Sequence, residues 1–298
     1  MRCLVTGGTG FVGKHLIQKL ENPVVLGRNP QRINQQLTNV EARQWSPGKP
    51  IDPRVFDGID TIFHLAGEPV YKGRWNAAKK KRIRESRVEG TRSIVQALEK
   101  LAQPPKTLIC SSAIGYYGSR GDERLTESSA AGNDFLAKVC IAWEEEARNL
   151  EKSGVRVVSV RIGVVLGKDG GALEQMLLPF KFGLGGRLGN GRQYISWIHI
   201  DDLIGIMLYA ASNEKIKGAV NVVSPQPVTN RDFTSTLADA LHRPAFLPVP
   251  GIALRITLGE FAEVILGSQK VIPEKVIQSG YTYLFPELPA ALADLVRS

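Results

Sequence analysis

The sequence predicts a doubly wound parallel α/β sheet with a smaller, mainly helical C-terminal region. Three observations predict it. Short, continuously apolar runs recur with helical stretches between them. A glycine-spaced turn joins the first run to the first helix. After Arg161 the composition shifts, first to a glycine-rich stretch and then to apolar, helix-like chain. Strands that are apolar throughout, rather than alternating, need cover on both faces, as in a parallel sheet flanked by helices.

The first run is Cys3-Leu4-Val5, followed by Thr6-Gly7-Gly8-Thr9-Gly10-Phe11-Val12-Gly13 and an amphipathic stretch over residues 11–20. Further strands are expected at 24–26, at 61–65 after Asp57-Gly58, at 107–111 after Pro104-Pro105, and at 155–160 after Gly154. Helices are expected at 75–102 and 135–153. Residues 163–191 read as a long irregular loop. Asp201 or Asp202 can cap a helix from 203 to about 212. A strand at 219–223 and a helix at 230–241 follow, then a mainly helical segment from 248 onward. The domain reading is a nucleotide-binding unit at 1–165, to which 195–223 return, and a substrate-side region at 166–194 and 224–298.

The 298 residues are 43% hydrophobic and 22% charged, an ordinary globular composition. No apolar run is long enough to span a bilayer, and Gly7 to Gly13 interrupt the run where a signal peptide would continue. The expected location is the cytoplasm, with no membrane partner, and the chain acts as a monomer or homodimer. Cys3, Cys110 and Cys140 share no metal-ligand spacing and read as reduced, buried thiols; no metal is expected. The net charge is +9 and the pI about 9.5. Part of it lies in the run from Lys79 to Arg87, which lacks interleaved aromatics. It reads as a solvated helix face with one or two arginines turned to an anionic ligand, and nucleic acid is not an expected partner.

Strand, tight glycine turn and helix in that order form a pyrophosphate cradle: glycine admits close backbone approach, and the helix N-terminus presents N–H groups and partial positive charge. In an NAD site an acidic residue about 20 positions on bonds the ribose. Here the second strand ends in Gly27-Arg28-Asn29, and arginine attracts a 2′-phosphate. Arg28, with Asn29 beside it, therefore predicts NADP(H).

Several motifs resemble the extended short-chain dehydrogenase/reductase family, which includes nucleotide-sugar epimerases. They are the glycine turn, His64-Leu65-Ala66-Gly67, the segment from Ser111 to Gly118, that from Arg161 to Gly167, and Trp197-Ile198-His199-Ile200-Asp201-Asp202. Leu65-Ala66-Gly67-Glu68-Pro69, Arg74-Trp75, Ser86-Arg87, Pro179-Phe180, Gly183-Leu184-Gly185-Gly186 and the segment from Gly267 to Pro273 are similar to the YfcH-like epimerase-family proteins. The likeness includes their C-terminal domain of unknown function, about 248–296, and covers essentially the whole chain. It implies a Rossmann fold and an NADP(H) site at Gly7, Thr9, Gly10, Phe11, Val12, Gly13, Arg28, Asn29, Leu65, Ala66, Gly67, Arg87 and Val165. The substrate, a small molecule, is unassigned. Plant and cyanobacterial relatives carry a cell- or plastid-division label.

The parent family uses a Tyr four residues before a Lys as acid/base. Lys138 stands in the lysine position, but Asp134 and Phe135 stand where the tyrosine belongs. The remaining catalytic candidates are Ser111 or Ser112, one of which faces the crevice at the strand end, and Tyr116 or Tyr117 as proton donor. Two readings stay open: an epimerase-like NADP(H) oxidoreductase, and an NADPH-binding regulatory protein without turnover. His64 and His199 read as packed rather than catalytic.

Overall fold

The computed structural model describes residues 1–296. Seven strands form one parallel sheet: β1 (Cys3–Thr6), β2 (Val24–Gly27), β3 (Glu41–Gln44), β4 (Thr61–His64), β5 (Thr107–Ala113), β7 (Arg156–Ile162) and β11 (Gly218–Val222). Their order is β11-β7-β5-β4-β1-β2-β3. The order reverses between β1 and β4, so the crevice for a ligand opens at their carboxyl ends. β1 is held in register by both neighbours, Thr6 standing opposite Leu26 on one side and His64 on the other.

Helices α1 (Phe11–Ile17), α2 (Pro30–Gln36), α3 (Ala77–Leu98) and α4 (Phe135–Arg148) alternate with the strands, with β6 (Arg124–Leu125) between the last two. After β7 come β8 (Val164–Gly167), α5 (Gly171–Lys181), β9 (Tyr194–Ile195), β10 (Trp197–His199) and α6 (Ile200–Ser212), which leads back to β11. The chain closes with β12 (Val228–Thr229), α7 (Asn230–Leu241), α8 (Gly251–Leu258), α9 (Phe261–Leu266), β13 (Lys270–Val271), α10 (Glu274–Gln278) and α11 (Leu288–Val296). The expected substrate-side region ends at 298; Arg297 and Ser298 lie outside the described residues.

Two apolar layers sandwich the sheet. Val5, Val25, Phe63, Ile109 and Val158 pack on α1 and α6. Leu4, Leu26, Ile62, Leu108 and Val157 pack on α3 and α4, through Ile94, Leu98, Trp143 and Ala147. Neighbouring residues of one strand thus bury on opposite faces, as the continuous apolar runs require. A separate cluster joins Leu173 and Trp197 to Phe233, Leu237 and Leu292.

The structure corrects several expectations. Residues 163–191 are not one loop: they contain β8 and α5, a helix masked in the sequence by Gly170, Gly171 and the internal Pro179. α3 is shorter at both ends than 75–102. α4 gives way to a 3-10 turn at Asn149–Ser153. α6 begins at Ile200 rather than 203, and its N-cap is His199, whose ring Nδ1 accepts from the Asp201 N–H, rather than Asp201 or Asp202. Asp202 is instead fully buried and receives the backbone N–H groups of Leu284 and Phe285, tying α6 to the C-terminal segment.

Candidate functional site

The crevice begins at the turn after β1. Gly7 sits at φ +73°, where a side chain would be strained, and its carbonyl accepts the Gly10 N–H at 2.9 Å. A Cβ on Gly13 would stand 2.3 Å from that carbonyl oxygen, so α1 presses directly on the turn. α1 starts after Gly10 with no side chain capping it, which leaves its first N–H groups for an anion.

A buried relay fixes the opposite wall. The Thr91 hydroxyl donates to the Arg87 carbonyl at 2.7 Å, so its oxygen accepts from His64 Nε2–H at 3.0 Å. His64 Nδ1 then accepts from the Thr6 hydroxyl at 2.7 Å, and the Thr6 oxygen accepts the Ala66 N–H at 3.2 Å. This chain sets the His64 tautomer and pins Leu65-Ala66-Gly67 beside the glycine turn. Burial, aided by the nearby Arg87 charge, pushes His64 down to about 3, so the ring is neutral and structural.

Between these walls lies a cleft of about 690 Å³. It is lined by Gly7, Thr9, Gly10, Arg28, Asn29, Leu65, Ala66 and Gly67 among the sequence candidates, and by Arg32, Trp45, Glu68 and Ser86 besides. Arg28 and Arg32 are exposed at its rim. The Asn29 side-chain oxygen caps α2, accepting the Arg32 N–H at 3.0 Å, so its amide NH2 is the group left to meet a ligand. Asn29-Pro30, a capping residue before proline, was the sequence signal for α2 and hence for Arg32.

The remaining cofactor candidates sit behind the lining. The Phe11 ring packs on the glycines of the β8–α5 turn, where a Cβ at Gly167 or Gly170 would be 2.4 Å from it. Val12 and Val165 are half-buried against the core. Arg87 does not lie on a solvated face. Its guanidinium reaches the backbone carbonyl of Glu68 at 3.0 Å, faces Gly67 and stacks on Trp143. Lys79, in the same basic run, is buried and paired with Glu68 at 2.7 Å. The run is amphipathic in space: these two cations point inward to the loop that walls the cleft, while Lys81, Arg82 and Arg84 stay outside. The Lys79 hydrogen bond is the main cause that holds the Glu68 carboxyl below its usual range.

The catalytic candidates divide sharply. Ser112 turns to α4 and donates to Glu144 Oε1 at 2.6 Å. Ser111 and Ala113 share the opposite side of β5; Ser111 is 8% exposed. Tyr117 is fully buried, its hydroxyl donating to Asn221 Oδ1 at 2.6 Å and accepting from Arg161 at 2.9 Å. Burial pushes its phenol up to about 12. Ser112 and Tyr117 are therefore structural, not crevice hydroxyls. Tyr116 is half-buried. The Arg161 guanidinium lies 3.4 Å from its ring centroid. Lys138 is exposed on the first turn of α4, and Asp134 is the cap of that helix, accepting the Ala137 N–H at 2.9 Å.

The side chain joining these groups is Arg161, which the sequence reading placed only in a motif. Its Nε and Nη2 engage both oxygens of Glu144 at 2.9 and 2.8 Å, and both partners are 4% exposed. Burial opposes the Arg161 charge, but the Glu144 hydrogen bonds and charge outweigh it, so the guanidinium is held more firmly protonated than usual. Glu144 is 17 positions away, with no local pattern to announce it. Among the described residues no group of three or more His, Cys, Asp or Glu could hold a metal, and all three cysteines are free and buried.

Glycine cradle, pinned loop and reversed strand order agree with the comparisons to known proteins. The profile of the NAD dependent epimerase/dehydratase family matches residues 3–223, and that of a domain of unknown function, DUF1731, matches 249–295. The chain belongs to the NAD dependent epimerase/dehydratase family. Among its family relatives are the Bacillus subtilis epimerase family protein YfhF, 38% identical over 99% of this chain and 98% of its own, and the Mus musculus epimerase family protein SDR39U1, 40% identical over 99% and 100%. The crystal structure of human SDR39U1 (isoform 2) with NADPH superposes with a TM-score of 0.89, at 37% identity over 99% of both chains. Bacillus cereus UDP-glucuronic acid 4-epimerase with its substrate and NAD shares the fold at 18% identity, with a TM-score of 0.78. No described helix is long and apolar enough to cross a membrane.

Proposed function

We propose that this chain binds NADP(H) and acts as an epimerase-like oxidoreductase on a small molecule, in the cytoplasm, as a monomer or homodimer without nucleic-acid or membrane partners. The observation that carries the cofactor reading is the pair Arg28 and Arg32 at the rim of the cleft, where an NAD site places a carboxylate. The human relative crystallised with NADPH supports the same reading. The glycine turn and the α1 N-terminus would hold the pyrophosphate. Bound there, the nicotinamide supplies or accepts hydride. Lys138 would hold the adjacent ribose, Ser111 would bond the substrate oxygen, and Tyr116 would move the proton at that oxygen, since Ser112 and Tyr117 are consumed by Glu144, Arg161 and Asn221.

The test is NADPH oxidation over a panel of carbonyl compounds and nucleotide sugars. Tyr116→Phe is expected to lower kcat by ~10²–10⁴-fold while NADPH affinity stays constant. Turnover untouched by Tyr116→Phe, Ser111→Ala and Lys138→Ala would overturn the residue assignment. A second reading, NADPH binding without turnover, is favoured by one observation: the position four before Lys138 is a helix cap, Asp134, with no phenol nearby on that turn. Tight NADPH binding with neither net cofactor oxidation or reduction nor any epimerised product across the panel would establish it.

A further inference from the structure

The substrate half of the molecule carries a concentration of exposed apolar side chains. Leu178, Phe182, Leu184, Phe246, Ile252 and Ile256 are 59–73% exposed. Leu178 and Phe182 lie four apart at the end of α5. Ile252 and Ile256 lie four apart on α8, a helix with no buried residue at all. The two stretches form one surface: the Gly189 N–H donates to the Val249 carbonyl and the Val249 N–H to the Arg187 carbonyl, each at 2.9 Å.

That surface is continuous with the proposed reaction centre. Arg74 donates to the Ile256 carbonyl at 2.9 Å. Trp75 contacts both Phe261 of α9, with ring centroids 5.7 Å apart, and Phe135, 5.4 Å apart. Phe135 opens α4, one turn before Lys138. The charge on the surface is mainly basic. Residues 178–187 and 242–258 contain Lys181, Arg187, Arg243 and Arg255 and no Asp or Glu. Glu174 on α5 and Asp239 on α7 flank these stretches, and Glu260 and Glu263 beyond α8 are paired with Lys80 and Arg255, which leaves Lys181, Arg187 and Arg243 as the basic rim. Apolar patches with a charged rim mark ligand or partner sites.

We infer that the substrate is a free amphipathic anion: an oxygen-bearing carbon on an extended hydrocarbon body that also carries a carboxylate or phosphate. The inference rests on the reading that chemistry occurs beside Lys138, but it concerns binding and is tested without turnover. The hydrocarbon lies along α5 and α8, and the anionic group meets the basic rim.

The test is calorimetric titration of the full-length, NADPH-loaded protein with octanoate, decanoate and dodecanoate below their micelle concentrations. Affinity is expected to rise about fourfold per added methylene. Phe182→Ser with Ile256→Ser should weaken dodecanoate at least ~10-fold, one to two buried methylenes' worth. Both side chains are exposed, so the melting temperature and NADPH affinity should hold. Dodecanol should bind more weakly than dodecanoate, and Lys181→Gln with Arg243→Gln should erase that difference. Affinity independent of chain length, with tight binding of a nucleotide sugar, overturns the inference and leaves the oxidoreductase reading intact. Chain-length dependence together with no cofactor turnover or epimerised product over the carbonyl and nucleotide-sugar panel supports the inference while the oxidoreductase reading falls. Sedimentation of the protein with phosphatidylglycerol vesicles, lost in Phe246→Ser, or self-association lost in the same variant, assigns the surface to a bilayer or a second copy and overturns it.

Discussion

Cofactor discrimination is the sharpest consequence of the site. A 2′-phosphate at the end of β2 would meet two guanidinium groups, Arg28 and Arg32, both exposed at the cleft rim. A hydrogen bond to a charged group contributes about 1.5–3 kcal/mol. Solvent screening at an exposed rim places each arginine at the lower end. About 1.5 kcal/mol per arginine is ~10-fold in affinity, so the pair should favour NADPH over NADH by ~100-fold. Arg28→Ala should reduce the preference to ~10-fold, and Arg28→Ala with Arg32→Ala to near unity, with NADH affinity unchanged throughout. Titrations followed by NADPH fluorescence at two salt concentrations measure this directly, and higher salt should compress the preference. Equal affinities in the unaltered protein, or an Arg28→Ala variant that keeps full discrimination, would refute the reasoning.

Three further outcomes follow from the geometry. Glu144→Ala leaves the Arg161 cation buried and unpaired, which should cost about 3–5 kcal/mol and lower Tm by roughly 5–10 °C in a calorimetric scan; an unchanged Tm would show the pair to be dispensable. Gly13→Ala places a Cβ against the Gly7 carbonyl, so NADPH affinity should fall ~10-fold or more while the sheet core persists, as judged by circular dichroism. His64 titrates near 6.5 when unfolded but at about 3 when folded, so the unfolded chain alone takes a proton between those values. Its contribution is complete above pH 6.5 and is lost as pH falls toward 3, by about 1.4 kcal/mol per pH unit, with burial of His199 acting in the same direction. Urea unfolding at pH 7 and pH 5 should therefore show a drop of about 2 kcal/mol, and a flat profile would contradict the buried relay.

Much of the fold was legible because its signals are local. Apolar runs bounded by Gly and Pro located β1, β2, β4, β5 and β7. Gly7 and Gly13 announced a turn that only glycine can make at that closeness. The edge strand β3, Glu41-Ala42-Arg43-Gln44, escaped because an exposed edge has no reason to be apolar. α5 escaped because Gly170, Gly171 and Pro179 read as loop. Arg32 was missed with α2, though Asn29-Pro30 marked the start of that helix.

The sequence by itself determined the glycine cradle, the parallel α/β sheet, the arginine at the end of β2 and the missing tyrosine before Lys138. Each of these depends on residues within a few positions of one another, where backbone conformation and periodicity leave a trace. The tertiary structure alone decided which hydroxyls remain for chemistry. Ser112 and Tyr117 looked equivalent to Ser111 and Tyr116 until Glu144, Arg161 and Asn221, 32 to 104 positions away, were brought against them. A buried polar group must find a hydrogen-bonding partner wherever the fold places one, and that choice is made by distance in space, which leaves no period in the chain.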